Sequence, residues 1–345
     1  MSLMSRALIA FESASLPDSV RKGAVSMLVS NARRQLKSAP RDASARFAAD
    51  MASHPIAEHT EDANAQHYEV PAAFFEACLG PRLKYSCCRY DAADDTLAIA
   101  EERALTETCR NARLEDGQAV LELGCGWGSL TLWMAARYPR SRFTAVSNSS
   151  SQRAHIETKA REQGLNNLTV ITADMNVFDT TETFDRIVSV EMFEHMSNWR
   201  ALLEKCRAWL APEGRMFMHV FAHRAAPYRF DVKDPTDWIA QHFFAGGVMP
   251  SRDLIGNFSD LFEVEQDWWW NGRNYQRTAL DWLANFDANK DALRPVLKQV
   301  YGRDARLWEH RWRLFFLATA GLFGHDGGEE WGVVHHLLKP ARRRS

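Results

Sequence analysis

The chain has 345 residues, 46% of them hydrophobic, and a formal net charge of -2. That length and apolar content support one large domain or a core with additions, and the near-neutral balance offers no basic field for nucleic acid. No run approaches the roughly 18 apolar residues of a membrane span, and no signal-peptide core opens the chain. The six cysteines (Cys78, Cys87, Cys88, Cys109, Cys125, Cys206) have neither zinc-ligand spacing nor a disulfide framework. A soluble protein with reduced thiols, in the cytoplasm, is the expectation.

Residues 16–36 carry Leu16, Val20, Ala24, Met27, Leu28 and Ala32 at helical spacing, after a Pro-Asp start. Such a helix can dock on the core, pair two copies into a homodimer, or lie peripherally on a membrane surface; its short, serine-dotted apolar face makes docking the default. Residues 38–65 are polar and alanine-rich, so residues 1–65 read as an N-terminal helical extension to a domain spanning 66–345. An aromatic segment (Tyr68, Phe74, Phe75, Leu79, Leu83) then leads into Tyr85-Ser-Cys-Cys88. A helical pattern over 96–113 is followed by strands at 119–123, 142–146, 168–172, 184–190 and 215–221, alternating with helices at 129–137, 150–162 and 199–210. This rhythm predicts an α/β fold with a mostly parallel sheet and helices on both faces. Beyond Phe221 it breaks. Residues 222–251 form a polar and aromatic insertion centred on Asp231-Val-Lys-Asp-Pro-Thr-Asp-Trp238. Closing strands are expected at 261–270 and 332–338, with a helical insertion at about 279–325 that would cap the ligand crevice. The basic tail Lys339-Pro-Ala-Arg-Arg-Arg-Ser345 reads as a solvated terminus.

The sharpest signal is Val120-Leu-Glu-Leu-Gly-Cys-Gly-Trp-Gly128, a buried strand running into a glycine turn before a helix. Glycines let backbone approach a ligand closely. A dinucleotide pyrophosphate prefers the Gly-x-Gly-x-x-Gly spacing. Here the glycines alternate at 124, 126 and 128, and Glu122 precedes them. A carboxylate there repels a pyrophosphate and suits a cationic ligand such as the amino group and sulfonium of S-adenosylmethionine, which disfavours a nicotinamide dehydrogenase. Other strand ends offer Ser147-Asn-Ser149 with Gln152 for ribose hydroxyls, and Asp174-Met-Asn176, where Asp174 can accept from an adenine amine and Met175 can lie on the ring. Ser147–Ser149 also fit a plain helix cap.

Tyr85-Ser-Cys87, Leu123–Gly128, Phe193-Glu-His195, His219 and Tyr275-Gln-Arg-Thr278 together resemble the cyclopropane fatty acid synthases and their plant relatives, the coclaurine-type N-methyltransferases. His67-Tyr68 supports the likeness. Leu16-Pro-Asp, Ser86-Cys-Cys88, Glu191, Asp287-Ala-Asn289 and Gly328-Glu-Glu-Trp331 resemble the plant branch more. The resemblance implies a class I, Rossmann-like S-adenosylmethionine-dependent methyltransferase acting on a small-molecule amine or an unsaturated acyl chain. It implies Tyr85, Ser86, Gly124, Gly126, Ser147, Gln152 and Asp174–Asn176 as cofactor residues, to which the strand-end reading adds Glu122 and Asn148. In lipid-modifying members a bicarbonate ion sits beside the transferred methyl, and its ligands map to Cys87, Glu194, His195, His219 and Tyr275. Phe221 departs from the smaller aliphatic residue of the lipid enzymes.

Glu191, Glu194 and His195 are spaced i, i+3 and i+4, which on a helical turn places two carboxylates and an imidazole on one face. Each carboxylate would raise the other's pKa and both would favour a protonated imidazole. Such a cluster attracts a cationic amine and supplies the base that amine methylation requires. The bland readings stay open: a capping Glu-His pair, His219 as a core histidine, Cys87 as packing. One of Trp268-Trp-Trp270 should point away from the core, toward substrate. A cyclopropane synthase proper, with bicarbonate as base, and a non-catalytic cofactor-binding module are the alternative functions.

Overall fold

A computed structural model describes residues 11–12, 16–58, 70–234 and 237–342. His67-Tyr68, Pro235-Thr236 and Arg343–Ser345 lie outside the described residues. The predicted alternation folds into a sheet of seven strands (two further short strands form a hairpin). In chain order the strands are β1 (Ala119–Leu123), β2 (Arg142–Ser147), β3 (Leu168–Thr172), β4 (Phe184–Val190), β5 (Leu210–His223), the hairpin pair β6 (Tyr228–Arg229) and β7 (Val248–Met249), β8 (Phe262–Asn271) and β9 (Trp331–Pro340). The sheet order is β3-β2-β1-β4-β5-β9-β8, with the first five strands parallel and β9 antiparallel to both neighbours. This is the expected mostly parallel, Rossmann-like arrangement.

The central strands are apolar along their whole length because helices cover both faces. On one side α4 (Leu97–Asn111) and α5 (Ser129–Arg137) pack Leu105, Cys109, Leu130, Trp133 and Met134 against Val120, Phe143, Val188 and Phe217. On the other, α7 (Trp199–Trp209) packs Leu202, Leu203 and Cys206 against Leu121, Ile187, Met216 and Met218. Each such large side chain contributes about 1.5–3 kcal/mol on burial. At the free edge β8 carries Glu263, Glu265 and Asp267, charges that discourage further strand pairing.

Before the sheet lie α1 (Asp18–Lys37), α2 (Ala43–Met51) and α3 (Ala72–Cys78); α6 (Ser150–Glu162) follows β2 and α8 (Trp238–His242) lies in the first insertion. The late insertion forms α9 (Arg273–Ala288), α10 (Lys290–Tyr301) and α11 (Ala305–Phe323), and α9 starts six residues before the expected position. Tyr275 therefore stands in its first turn. The cap shares one core with α1 and α3: Phe74, Phe75, Trp282, Phe286, Trp312, Phe316 and Leu317, with Val25 and Val29 of α1. α1 thus docks. A Cβ on Gly321 would meet Val25 Cγ1 at 2.4 Å, so only glycine permits that approach of α1 to α11.

Arg313 of α11 ties α1 to α9, donating to Asp18 Oδ2 at 2.8 Å and to Asp287 Oδ2 at 2.9 Å. Half-exposed ion pairs contribute only about 1 kcal/mol. Arg313→Met is therefore expected to lower Tm by about 2–4 °C and to expose α1 to limited proteolysis before the sheet; unchanged cleavage would show that Val25, Val29 and the pairs of Arg33 with Glu330 and Asp326 suffice to hold the helix.

Candidate active site

The glycine turn at the end of β1 is left-handed at all three glycines, with φ of 78° at Gly124, 51° at Gly126 and 82° at Gly128. A Cβ on Gly124 would lie 2.6 Å from the Met192 side chain, and one on Gly128 would lie 2.6 Å from Ile156. Gly126 differs. Nothing stands within 4 Å of the position of its Cβ, and it borders the main cavity. Gly124 and Cys125 donate their N–H groups to Val146 O at 3.0 and 3.1 Å, tying the turn to β2.

That cavity lies beyond the carboxyl ends of the parallel strands. Its lining brings together Tyr85, Ser86, Glu122, Gly124, Gly126, Ser147, Asn148, Gln152, Asp174 and Met175 with Glu191, His195 and Tyr275. Glu122 is buried, its Oε2 accepts from Thr131 Oγ1, and burial pushes its carboxyl up to about 8. Ser147 Oγ donates to Gln152 Oε1 at 2.7 Å and accepts from Ser149 N–H at 3.0 Å, while Ser149 caps α6. The capping reading therefore holds for Ser149, whereas Ser147 and Gln152 border the cavity. Asn176 is a correction: it is absent from the lining. Its amide pairs with the Ala57 backbone, accepting at 3.1 Å and donating at 3.0 Å, which holds residues 56–58 over the cavity.

The acid-imidazole cluster also differs from expectation. Glu191 has φ of 47°, outside any helical turn, and only Phe193–His195 form a short 3-10 turn. The three side chains do not share one helical face. Glu191 instead reaches across the end of the sheet. Its Oε1 accepts from the Cys87 backbone N–H at 2.9 Å and pairs with His219 Nε2 at 3.1 Å; its Oε2 accepts from Tyr275 Oη at 2.6 Å. Burial raises its pKa, and the nearby Lys84 ammonium opposes that rise.

Glu194 is fully buried and does not border the cavity. Its Oε1 accepts from Phe221 N–H at 2.6 Å, and burial followed by repulsion from Glu191 holds its carboxyl well above the ordinary range. His195 is half-buried and stacks on Phe244 at 4.3 Å. Desolvation outweighs the pull of Glu191 and takes the imidazole down to about 4. The expected protonated imidazole is thus neutral at physiological pH. Cys87 contributes through its backbone: its thiol is buried, raised well above the usual thiol range, and bonded to Cys88 O. His219 is fully buried on β5. None of Trp268–Trp270 borders the cavity; Trp270 packs on His335 at 4.3 Å and Arg252 lies over Trp269. The expectation that one of them faces substrate is thus corrected: Trp270 turns inward onto the buried rings of His219 and His335.

Sequence reasoning missed Lys84, which is buried and donates to Ser86 Oγ at 2.5 Å and to Cys87 O at 2.8 Å. It also missed the aromatic wall of Trp127, Phe244, Trp282 and Phe315. The last three come from the two insertions flagged as caps, so a search of those segments for aromatic residues would have found them. Among the described residues no cluster of acids, histidines and cysteines could hold a metal, and no helix is long and apolar enough to cross a membrane.

Residues 56–326 match the mycolic acid cyclopropane synthetase family. The chain belongs to that family. The (S)-coclaurine N-methyltransferase of Thalictrum flavum subsp. glaucum is 38% identical over 82% of this chain and 80% of its own length. The Papaver somniferum enzyme of the same name is 34% identical over 82% of each chain. The cyclopropane-fatty-acyl-phospholipid synthase of Escherichia coli (strain K12) is 31% identical over 78% of this chain and 66% of its own. A crystal structure of coclaurine N-methyltransferase bound to N-methylheliamine and S-adenosylhomocysteine superposes with a TM-score of 0.91 at 32% identity, over 98% of this chain and 100% of that one. A cyclopropane synthase from Mycobacterium tuberculosis shares the fold, with a TM-score of 0.69 at 23% identity. This family member is an S-adenosylmethionine-dependent methyltransferase of the class I fold. The cofactor suits the cavity: the unoccluded Gly126 leaves room against the backbone, and Ser147, Gln152 and Asp174 offer polar groups along the lining. The charge expected of Glu122 is a correction, since burial pushes its carboxyl up to about 8 and favours the neutral form near pH 7.

Bicarbonate fits less well. Three of the groups that the resemblance assigned to it, at Cys87, His219 and Tyr275, already bond the Glu191 carboxylate. A second anion there would face a buried carboxylate.

Proposed function

We propose that this enzyme methylates the nitrogen of a small amine with an apolar, aromatic body. The observation that carries the reading is the Glu191 carboxylate, held by three partners at the point where lipid-modifying relatives are expected to hold a bicarbonate base. A built-in carboxylate serves an amine well. It attracts the ammonium form and, with a pKa raised by burial, takes up the proton that must leave before the nitrogen can attack. The aromatic wall of Trp127, Phe221, Phe244, Trp282 and Phe315 offers a flat apolar surface to the substrate's body. The relatives named for coclaurine support the same substrate class.

S-adenosylmethionine supplies an electrophilic methyl group on a positively charged sulfur. Tyr85, Ser86, Glu122, Gly124, Gly126, Ser147, Asn148, Gln152, Asp174 and Met175 form the cofactor cradle, and Asn176 supports it through Ala57. Glu191 is the base; His219, Tyr275 and the Cys87 N–H aim its oxygens. His195, neutral and exposed to the cavity, orients the amine by accepting from it. Glu194 fixes the Phe221 backbone. Because such a displacement needs little beyond alignment and exclusion of water, holding the base and the nitrogen in line is the main task of these residues.

The test compares acceptors. S-adenosylhomocysteine release is measured with a panel of cyclic secondary and tertiary benzylic amines and, separately, with vesicles of unsaturated phospholipid. Turnover with amines and none with vesicles is expected. Turnover with vesicles alone would overturn the proposal.

A further inference from the structure

Behind Glu191 and His219 the line of buried polar groups continues to His335 and Asn111, which the mechanism above leaves unused. His219 Nε2 meets Glu191 Oε1 at 3.1 Å, His219 Nδ1 meets His335 Nε2 at 2.8 Å, and His335 Nδ1 meets Asn111 Nδ2 at 3.0 Å. Asn111 closes α4, His219 lies on β5 and His335 on β9, and the two histidines are register partners on adjacent antiparallel strands. Phe217 and Trp270 pack on the His335 ring at 5.0 and 4.3 Å and seal the line from water. Both imidazoles are fully buried.

The amide nitrogen of Asn111 can only donate. His335 Nδ1 must then accept, which leaves the proton of that ring on Nε2. His335 Nε2–H donates to His219 Nδ1, so His219 in turn carries its proton on Nε2 and donates it to Glu191. One amide thus sets the direction of every hydrogen bond in the line. We propose that Asn111 and His335 are positioning residues for methyl transfer: they fix both buried imidazoles as Nε2–H tautomers, so that His219 donates to Glu191 and favours its ionised, proton-accepting form. The inference rests on the reading of Glu191 as the base. Burial keeps both rings neutral, well below the usual imidazole range, in agreement with single-proton tautomers. The competing arrangement, with the Asn111 oxygen turned to His335, would reverse every bond and confront Glu191 with an acceptor, which only a protonated carboxyl could satisfy.

The line has a further consequence. Polarised toward Glu191, it cannot carry away the proton taken from the amine unless two rings and an amide all turn over, so that proton leaves through the cavity. The other charged and titratable groups facing these residues are Lys84 and Cys87 on the loop before α4, Arg89, His336 beside His335, and Glu194, His195 and Tyr275 around Glu191.

The direct test is nitrogen-15 NMR of histidine-labelled enzyme near neutral pH, where His219 and His335 are expected as neutral Nε2–H tautomers; an Nδ1–H tautomer on either ring overturns the proposal. The kinetic test uses Asn111→Leu and His335→Phe, with thermal melts to verify folding. Losing the donor should move the acidic limb of kcat/KM upward by about one pH unit, roughly a tenfold loss of rate below the limb, with the high-pH plateau retained. His335→Gln, whose amide can still donate to His219, should keep the wild-type limb. An unshifted limb in both Asn111→Leu and His335→Phe also overturns the proposal. The NMR assignment reads out without any substrate, so a failure to methylate amines would count against the proposed function and not against this hydrogen-bond line.

Discussion

Glu191→Gln is expected to lower kcat for amine methylation by about 10²–10⁴-fold, the range typical of a lost general base, and to leave S-adenosylmethionine affinity essentially unchanged. The amide keeps the side chain's shape and can accept one of the bonds from Cys87 N–H and Tyr275 Oη, but it takes up no proton. The pH dependence follows the same logic. Burial raises the Glu191 pKa above that of an ordinary glutamate, and the base must be ionised to act. Wild-type kcat/KM is therefore expected to fall as pH drops through that raised value and to level off above it. His195, held at about 4, is neutral throughout and adds no limb near neutrality. Added bicarbonate should neither accelerate the wild type nor rescue Glu191→Gln. Stopped turnover assays across pH check each point, and a Glu191→Gln enzyme with wild-type kcat would remove Glu191 from the chemistry.

Gly126→Val should abolish measurable cofactor binding. Gly126 has φ of 51°, and nothing lies within 4 Å of where a Cβ would stand, so the valine methyls would project into free space beside the cavity. The cost has two parts. A β-branched residue at positive φ is strained by about 1–3 kcal/mol, and the added atoms occupy the volume that the ligand needs. Gly164→Val separates them. Gly164 has φ of 67°, is equally unobstructed, and lies after α6 away from the cavity. Titration calorimetry is expected to show lost binding for Gly126→Val and intact binding for Gly164→Val, with similar drops in Tm. Equal affinity in the two variants would place the cofactor elsewhere.

The alternation of strands and helices, the glycine turn after β1 and the family likeness were all legible in the sequence. These are local signals: the spacing of apolar residues reports which face of an element is buried, and glycines at alternate positions report a backbone that must turn tightly. The cavity-lining residues at the four strand ends were legible for the same reason, since a strand's end is a position along the chain. What the sequence left undetermined depends on distance through space. Glu191 leaves the helical turn because its own backbone is left-handed, which allows it to bond Cys87, His219 and Tyr275 from three separate elements. Cys87 acts through an N–H that every residue type but proline would supply, so its identity carried no information. Asn176 turns to Ala57, 119 residues away, and the Asn111–His335 contact spans 224. The charge of His195 was misjudged because spacing shows nearby carboxylates but not the desolvation that outweighs them. Periodicity along a chain determines the layers of this protein; the register between strands and the exclusion of water, which exist only once the layers have packed, decide which of its polar groups meet and which protons they carry.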